Sequence, residues 1–200
     1  MSQRFVRFAA TAGALLVILL GVTGCGINAV PTQDEQVKAA WSQVLNEYQR
    51  RSDLIPNLVS TVKGYAHQEE TVFREVTEAR AKATQTTLPA DVLSNPQAFH
   101  TFEQNQAQLT GALGRLLAVS ERYPDLKSNQ NFLALQSQLE GTENRIAVAR
   151  RDYIDAVQQY NTTLRTIPSR WIAAIFYPDA KPRETFTISQ QEQQAPKVQF

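Results

Sequence analysis

From Asp34 onward the apolar side chains recur at helical spacing. Val37, Ala40, Trp41, Val44, Leu45 and Tyr48 follow i, i+3, i+4, i+7 steps, so one helical face carries them all. A second stripe runs Ile55, Leu58, Val59, Val62, Tyr65, Val72, Phe73, Val76, Ala79. A third joins Phe99, Phe102, Leu109, Leu113, Leu116, Leu117 and Tyr123, and a fourth runs from Phe132 through Leu135, Leu139, Ile146, Ala149, Tyr153, Val157 and Tyr160 to Leu164. Strand alternation is nowhere evident in this region. Spacings near 3.5 over several turns suit left-handed bundle packing, so the pattern predicts an all-α antiparallel four-helix bundle over residues 34–177.

The breaks between stripes have local causes. Asp53 reads as an N-cap whose carboxylate accepts from the next turn, with Pro56 at a position where no intrahelical donor is lost. The competing pattern is one long helix over residues 34–84, kinked at Pro56. Gly64, inside the second stripe, either lets another helix approach or is simply tolerated. Thr86–Asp91 and Ser94-Asn95-Pro96 mark the next connection, Tyr123-Pro124-Asp125 ends the third helix, and Ile167-Pro168 ends the fourth. At about 1.5 Å per residue the helices range from roughly 30 Å (34–53) to 55 Å (128–165). After Pro178 the chain turns to Gln, Pro, Lys and Glu, and residues 178–200 are expected to form a mostly flexible tail.

The opening of the chain is an address. Arg4 and Arg7 precede the 15 uncharged residues Phe8–Val22, short for a span of about 20 residues and suited to a signal peptide. The segment ends Val22-Thr23-Gly24-Cys25, which resembles a bacterial lipobox, and Cys25 is the only cysteine in the chain. Residues 1–24 are therefore expected to be removed and Cys25 to carry lipid, with 25–33 as a linker. The competing reading is an uncleaved anchor, since no charge appears between Arg7 and Asp34 and a span could reach Asn28 or Val30. Gly26 is not the Asp that retains lipoproteins in the inner membrane, so the periplasmic face of an outer membrane is expected in a Gram-negative host. The linker Gly26–Gln33 reaches at most about 28 Å, which holds the bundle near the bilayer. Antiparallel topology then brings Trp171–Tyr177 to the membrane end. There Trp171, Phe176 and Tyr177 either dip into the interface or, the preferred reading, fold back to close the core.

Composition removes several classes of function. The net charge is +1, and residues 1–24 hold two of the 20 basic residues and none of the 19 acidic ones, so nothing draws the body to nucleic acid. One cysteine excludes a Cys-cluster zinc site, and the two histidines lack the Glu-x-x-His spacing of a di-iron bundle. A nucleophile elbow, a P-loop and a dinucleotide glycine pattern are missing. No metal or cofactor is expected.

Two polar clusters remain. Arg50, Arg51 and Asp53 crowd the first break, and Glu140, Glu143, Asn144 and Arg145 lie on the fourth helix with Arg150 and Arg151. Position 142 or 143 falls on the apolar stripe between Leu139 and Ile146, where a polar side chain needs a partner across the bundle. A buried network fixing helix register is expected; a recognition patch is the alternative.

Several segments resemble the LemA family: Arg50-Arg51-Ser52-Asp53-Leu54-Ile55-Pro56-Asn57-Leu58-Val59, Val62-Lys63-Gly64-Tyr65, Thr77-Glu78-Ala79-Arg80, Arg122–Lys127, Asn131-Phe132, Leu139–Tyr153 and Tyr160-Asn161. The resemblance spans roughly residues 30–177. It implies a membrane-tethered antiparallel four-helix bundle on the extracytoplasmic side, without enzymatic activity or cofactor. LemA-like proteins commonly carry one N-terminal transmembrane helix where this chain has a lipobox, and Ile154 stands where many have Asn. The function expected is a non-catalytic scaffold or adaptor for another envelope protein. The alternatives are a ligand-binding or enzymatic bundle with a pocket between helices, and membrane remodelling through Trp171–Tyr177.

Overall fold

The computed structural model describes residues 26–84 and 89–187, and within them all regular structure is helical. The helices are α1 (Ala29–Lys63), α2 (Glu70–Thr84), α3 (Pro96–Val119), α4 (Pro124–Lys127), α5 (Gln130–Arg165) and α6 (Ser169–Phe176), with 3-10 turns at Val92–Ser94 and Ser120–Arg122. The chain divides into two compact units. Among the described residues one holds 26–39 with Ala156–Arg183; the other holds Ala40–Asp155 and 184–187. None of the described helices is long and apolar enough to cross a membrane.

In the larger unit the stripes read from the sequence meet as a core. Ile55, Leu58 and Val62 of α1 pack with Phe73, Val76 and Ala79 of α2, Leu109, Leu113 and Leu116 of α3, and Phe132 and Leu139 of α5. Trp41 anchors an aromatic cluster, with ring centroids 5.6 Å from Phe99, 5.1 Å from Phe102 and 5.3 Å from Tyr153. The connection expected at Ser94–Pro96 is present. Asn95 accepts from the Ala98 N–H at 3.2 Å, and Pro96 opens α3 where its missing N–H costs nothing. Asn129 does the same for α5, accepting from Phe132 N–H at 3.0 Å.

The expected break at Asp53–Pro56 is not there. α1 runs through Pro56 to Lys63, and the Asp53 carboxylate accepts from Gln49 of its own helix at 2.7 Å rather than capping a new one. Proline at 56 deprives the Ser52 carbonyl, four residues back, of its helical donor. Arg80 of α2 supplies the replacement: its Nε donates to Ser52 O at 3.0 Å and lies 3.2 Å from Ser52 Oγ. The helix therefore survives its proline. The true break is at Gly64–Glu69, so residues 34–84 form two helices, the first ending at Lys63 rather than at residue 53. The atoms nearest a Cβ at Gly64 would be carbonyls of its own last turn, so no second helix uses the space.

This bond has a measurable consequence. Replacing Arg80 with Met is expected to cost about 1–2 kcal/mol by orphaning a buried carbonyl. In a Pro56→Ala background, where residue 56 regains its N–H, the cost is expected to shrink by about 1 kcal/mol. Equal costs of Arg80→Met in the two backgrounds, by denaturant unfolding, would refute the substitution of donor for donor.

The flexible tail expected from Pro178 on begins too early. In the smaller unit Asn161 clasps the Arg183 backbone, donating to its carbonyl at 2.9 Å and accepting from its N–H at 2.8 Å. In the larger unit the Glu184 carbonyl accepts from Tyr153 Oη at 2.7 Å, and its N–H donates to Leu93 O at 2.7 Å. Phe186 is 7% exposed, its ring 5.1 Å from Phe99 and 5.5 Å from Tyr153. A polar composition hid a strap fixed by backbone bonds and one aromatic anchor. The rest of the expected tail, 188–200, lies outside the described residues.

Asp34 fastens the smaller unit. Arg183 donates to its Oδ1 from Nη2 at 2.6 Å and from Nε at 3.0 Å, and Lys38 Nζ lies 3.0 Å from Oδ2. Burial alone would raise the Asp34 carboxyl, but the bonds from Arg183 and Lys38 outweigh it and hold it below the usual carboxylate range. A depressed carboxyl stabilises the fold above its unfolded pKa of about 4 and loses that contribution as pH falls through the folded value. Thermal melts of wild type and Asp34→Asn should differ by about 1 kcal/mol at neutral pH and converge in acid. A gap that persists in acid would contradict the ionised tie.

Candidate functional site

The polar residues singled out by the sequence divide sharply. Arg51 falls on the inner stripe of α1, between Tyr48 and Ile55, and is 1% exposed. Its Nη1 donates to Glu143 Oε1 and to Thr110 Oγ1, both at 2.9 Å, and its Nη2 donates to Gln106 Oε1 at 2.7 Å. One guanidinium thus ties α1 to α3 and α5. Its centre lies 5.0 Å from the Tyr48 ring, and its Nε is buried without a partner. Arg145 makes a second tie. Its Nε donates to Glu47 Oε2 at 3.1 Å and its Nη2 to Thr142 Oγ1 at 2.8 Å.

Arg51, Glu143 and Arg145 therefore join a cross-helix network. Arg50 is exposed beside it, Asn144 is exposed on α5, and Glu140 accepts from Gln136 of its own helix at 3.0 Å. Of the two stripe positions, Thr142 is the fully buried one, and Glu143 sits at the edge, where it reaches Arg51. Sequence reasoning missed Gln106, Thr110 and Glu47. Gln106 was detectable by the rule that found position 142, because it lies between Phe102 and Leu109 on an apolar stripe.

A cleft of about 370 Å³ opens beside this network. Tyr48, Arg51, Glu103, Glu143, Arg150 and Phe186 are among the residues that line it. Burial pushes the Tyr48 phenol up, so the hydroxyl stays neutral. Arg150 stands 4.3 Å over the Phe186 ring, and Glu103 accepts from the Thr187 N–H at 3.3 Å. The arginine and carboxylate groups here are largely engaged with one another or with the strap. Among the described residues, no group of three His, Cys, Asp or Glu side chains could hold a metal ion. Of the remaining sequence candidates, Trp171, Phe176 and Tyr177 lie on or just after α6. Trp171 and Phe176 are exposed, Tyr177 is half-buried, and Ala173 alone of that helix is buried, so Trp171 and Phe176 do not fold back into a core. The lipobox residues Val22, Thr23, Gly24 and Cys25 lie outside the described residues.

Further ties follow the same plan. Tyr123 Oη donates to Glu69 at 3.2 Å, Arg122 Nη2 lies 3.0 Å from the same carboxylate, and Asn129 donates to Tyr65 Oη at 2.8 Å. The LemA family model matches residues 40–200. The chain belongs to the LemA family. It is 28% identical over 170 residues to magnetosome proteins MamQ 1 and MamQ 2 of Paramagnetospirillum magneticum. It is 24% identical over 164 residues to magnetosome protein MamQ of Magnetospirillum gryphiswaldense. The chain spans 60% of the length of each of these relatives, and 74% of the chain is covered. Each of the following ties has at least one end in a segment that carries the LemA resemblance, and the first two have both. Arg51 bonds Glu143, Arg80 bonds Ser52, Tyr65 bonds Asn129, Tyr153 bonds Glu184 and Asn161 bonds Arg183.

Proposed function

We propose that this LemA protein is a membrane-anchored envelope lipoprotein that acts as a non-catalytic scaffold or adaptor. The observation that carries this reading is the fate of the polar signature residues. They are spent on bonds between elements, as Arg51 is on Glu143, Thr110 and Gln106, and so serve rigidity rather than turnover. In this reading residues 1–24 are a cleaved signal, Cys25 carries lipid, and residues 25–33 are the lipidated linker. The four longer elements α1, α2, α3 and α5 are the helices of an antiparallel bundle. The anchor faces the periplasm, on an outer membrane where the host has one. The magnetosome names of the relatives fit work in a membrane system. Two or more acyl chains hold firmly where one holds marginally, and confinement to the bilayer raises the effective concentration toward partners in the same membrane.

Crosslinking in intact cells, read by mass spectrometry, tests this. The expected result is one or a few envelope proteins captured through exposed helical faces, with capture lost in Cys25→Ser. Undiminished capture by the Cys25→Ser protein would remove the tether from the mechanism. The cleft beside Tyr48 and Arg51 supports a second reading, a ligand held between helices, because the Arg51 Nε there is buried and unpaired. Discriminating the two takes Glu143→Gln. A scaffold keeps its partner, and a ligand site loses its small molecule.

A further inference from the structure

We propose that α6 lies in the membrane interface as a second, non-covalent contact with the bilayer, made by Trp171, Ile175 and Phe176 and flanked by basic side chains. The inference rests on the anchored reading above and names the surface that meets the lipid. α6 turns its larger apolar residues outward: Trp171 is 60% exposed, Ile175 73% and Phe176 58%, and Ile167, just before it, is also exposed. At 100° per residue Trp171, Ile175, Ile172 and Phe176 fill one continuous arc, with Ala173 on the buried side. An arc this apolar is costly to leave in water and is the kind that settles roughly 5–10 Å into the headgroup boundary.

Two features within the same compact unit select lipid as the occupant. The first is continuity with the anchor. Gly26 abuts this arc so closely that a Cβ on it would lie 3.1 Å from Ile172 Cδ1. The residue before Gly26 is Cys25, and before that runs the uncharged segment Phe8–Val22. Held by lipid on Cys25, the chain would meet the bilayer one residue from its contact with α6; held by an uncleaved span through Val22, four residues from it. The second feature is charge. Over residues 165–181 Arg165, Arg170 and Lys181 are exposed without a partner among the described residues, against the single exposed carboxylate of Asp179. That excess complements anionic headgroups, each basic side chain near the surface contributing about 1 kcal/mol. The arc thus lies where a lipid tether would press it onto a negatively charged surface.

The test uses full-length protein reconstituted into vesicles of phosphatidylcholine and phosphatidylglycerol, with or without bromine on the acyl chains. The other tryptophan, Trp41, is 6% exposed, so the difference between wild type and Trp171→Phe isolates the emission of Trp171. Trp171 is expected to be blue-shifted and to lose about half its intensity to the brominated chains, as befits a ring at the interface. Changing Arg165, Arg170 and Lys181 to Gln should weaken that quenching and remove its salt dependence. Protein that floats with the vesicles while Trp171 stays unquenched overturns the inference and leaves the tether standing. Protein that neither floats nor is quenched overturns both.

Discussion

Replacing Arg51 with Ala is expected to cost about 3 kcal/mol of folding stability. Its guanidinium is fully buried and donates to three side chains on two other helices. Removing it strips Gln106 and Thr110 of a donor and leaves the Glu143 carboxylate without its cation. The loss stays below that of a fully buried ion pair because the Glu143 side chain is 39% exposed and can recover water. Arg51→Met, which keeps the aliphatic volume, should recover part of it, whereas Arg51→Lys should not, since an ammonium cannot span Glu143 and Gln106 as the fork does. Glu143→Gln should cost only about 1 kcal/mol, because the amide oxygen still accepts from Arg51. Denaturant midpoints in that order support the network as a structural tie. A midpoint for Arg51→Ala equal to wild type would contradict it.

Phe186→Ala is expected to cost about 2–3 kcal/mol and to free the strap. The ring touches Phe99 and Tyr153, faces Trp41 at 6.1 Å, and carries Arg150 on its face at 4.3 Å. The loss falls short of a core Phe deletion because releasing the strap returns chain entropy. Limited proteolysis should then cut between residues 178 and 187 at a rate the wild type does not show. Unchanged protection would mean that the bonds of Asn161 and Tyr153 hold the strap unaided.

Much of this fold was legible in the sequence because its causes are local. The stripes gave the helical class, and Asn95-Pro96 gave the start of α3, since a cap and its proline act within one turn. Pro56 was misread because its remedy is remote. The donor that spares the helix is Arg80, 28 residues away in sequence, and a local rule cannot see it. The strap was missed for a related reason. Composition judges a segment by what it can bury alone, and Phe186 buries itself among rings on three other elements. At the candidate site, periodicity located the polar stripe position and the Arg50-Arg51 pair. It did not choose between the arginines. The stripe through Val44, Tyr48 and Ile55 puts Arg51 inward and Arg50 outward, and only the helix register makes that choice.

The tether itself is open to a single measurement. Protein extracted with detergent from its own membranes can be weighed intact and its N-terminal fragment sequenced by mass spectrometry. A chain beginning at Cys25 and heavier by a diacylglycerol and an acyl group is the expected result. An unmodified chain recovered from the soluble fraction, with the cysteine free, contradicts the anchored scaffold.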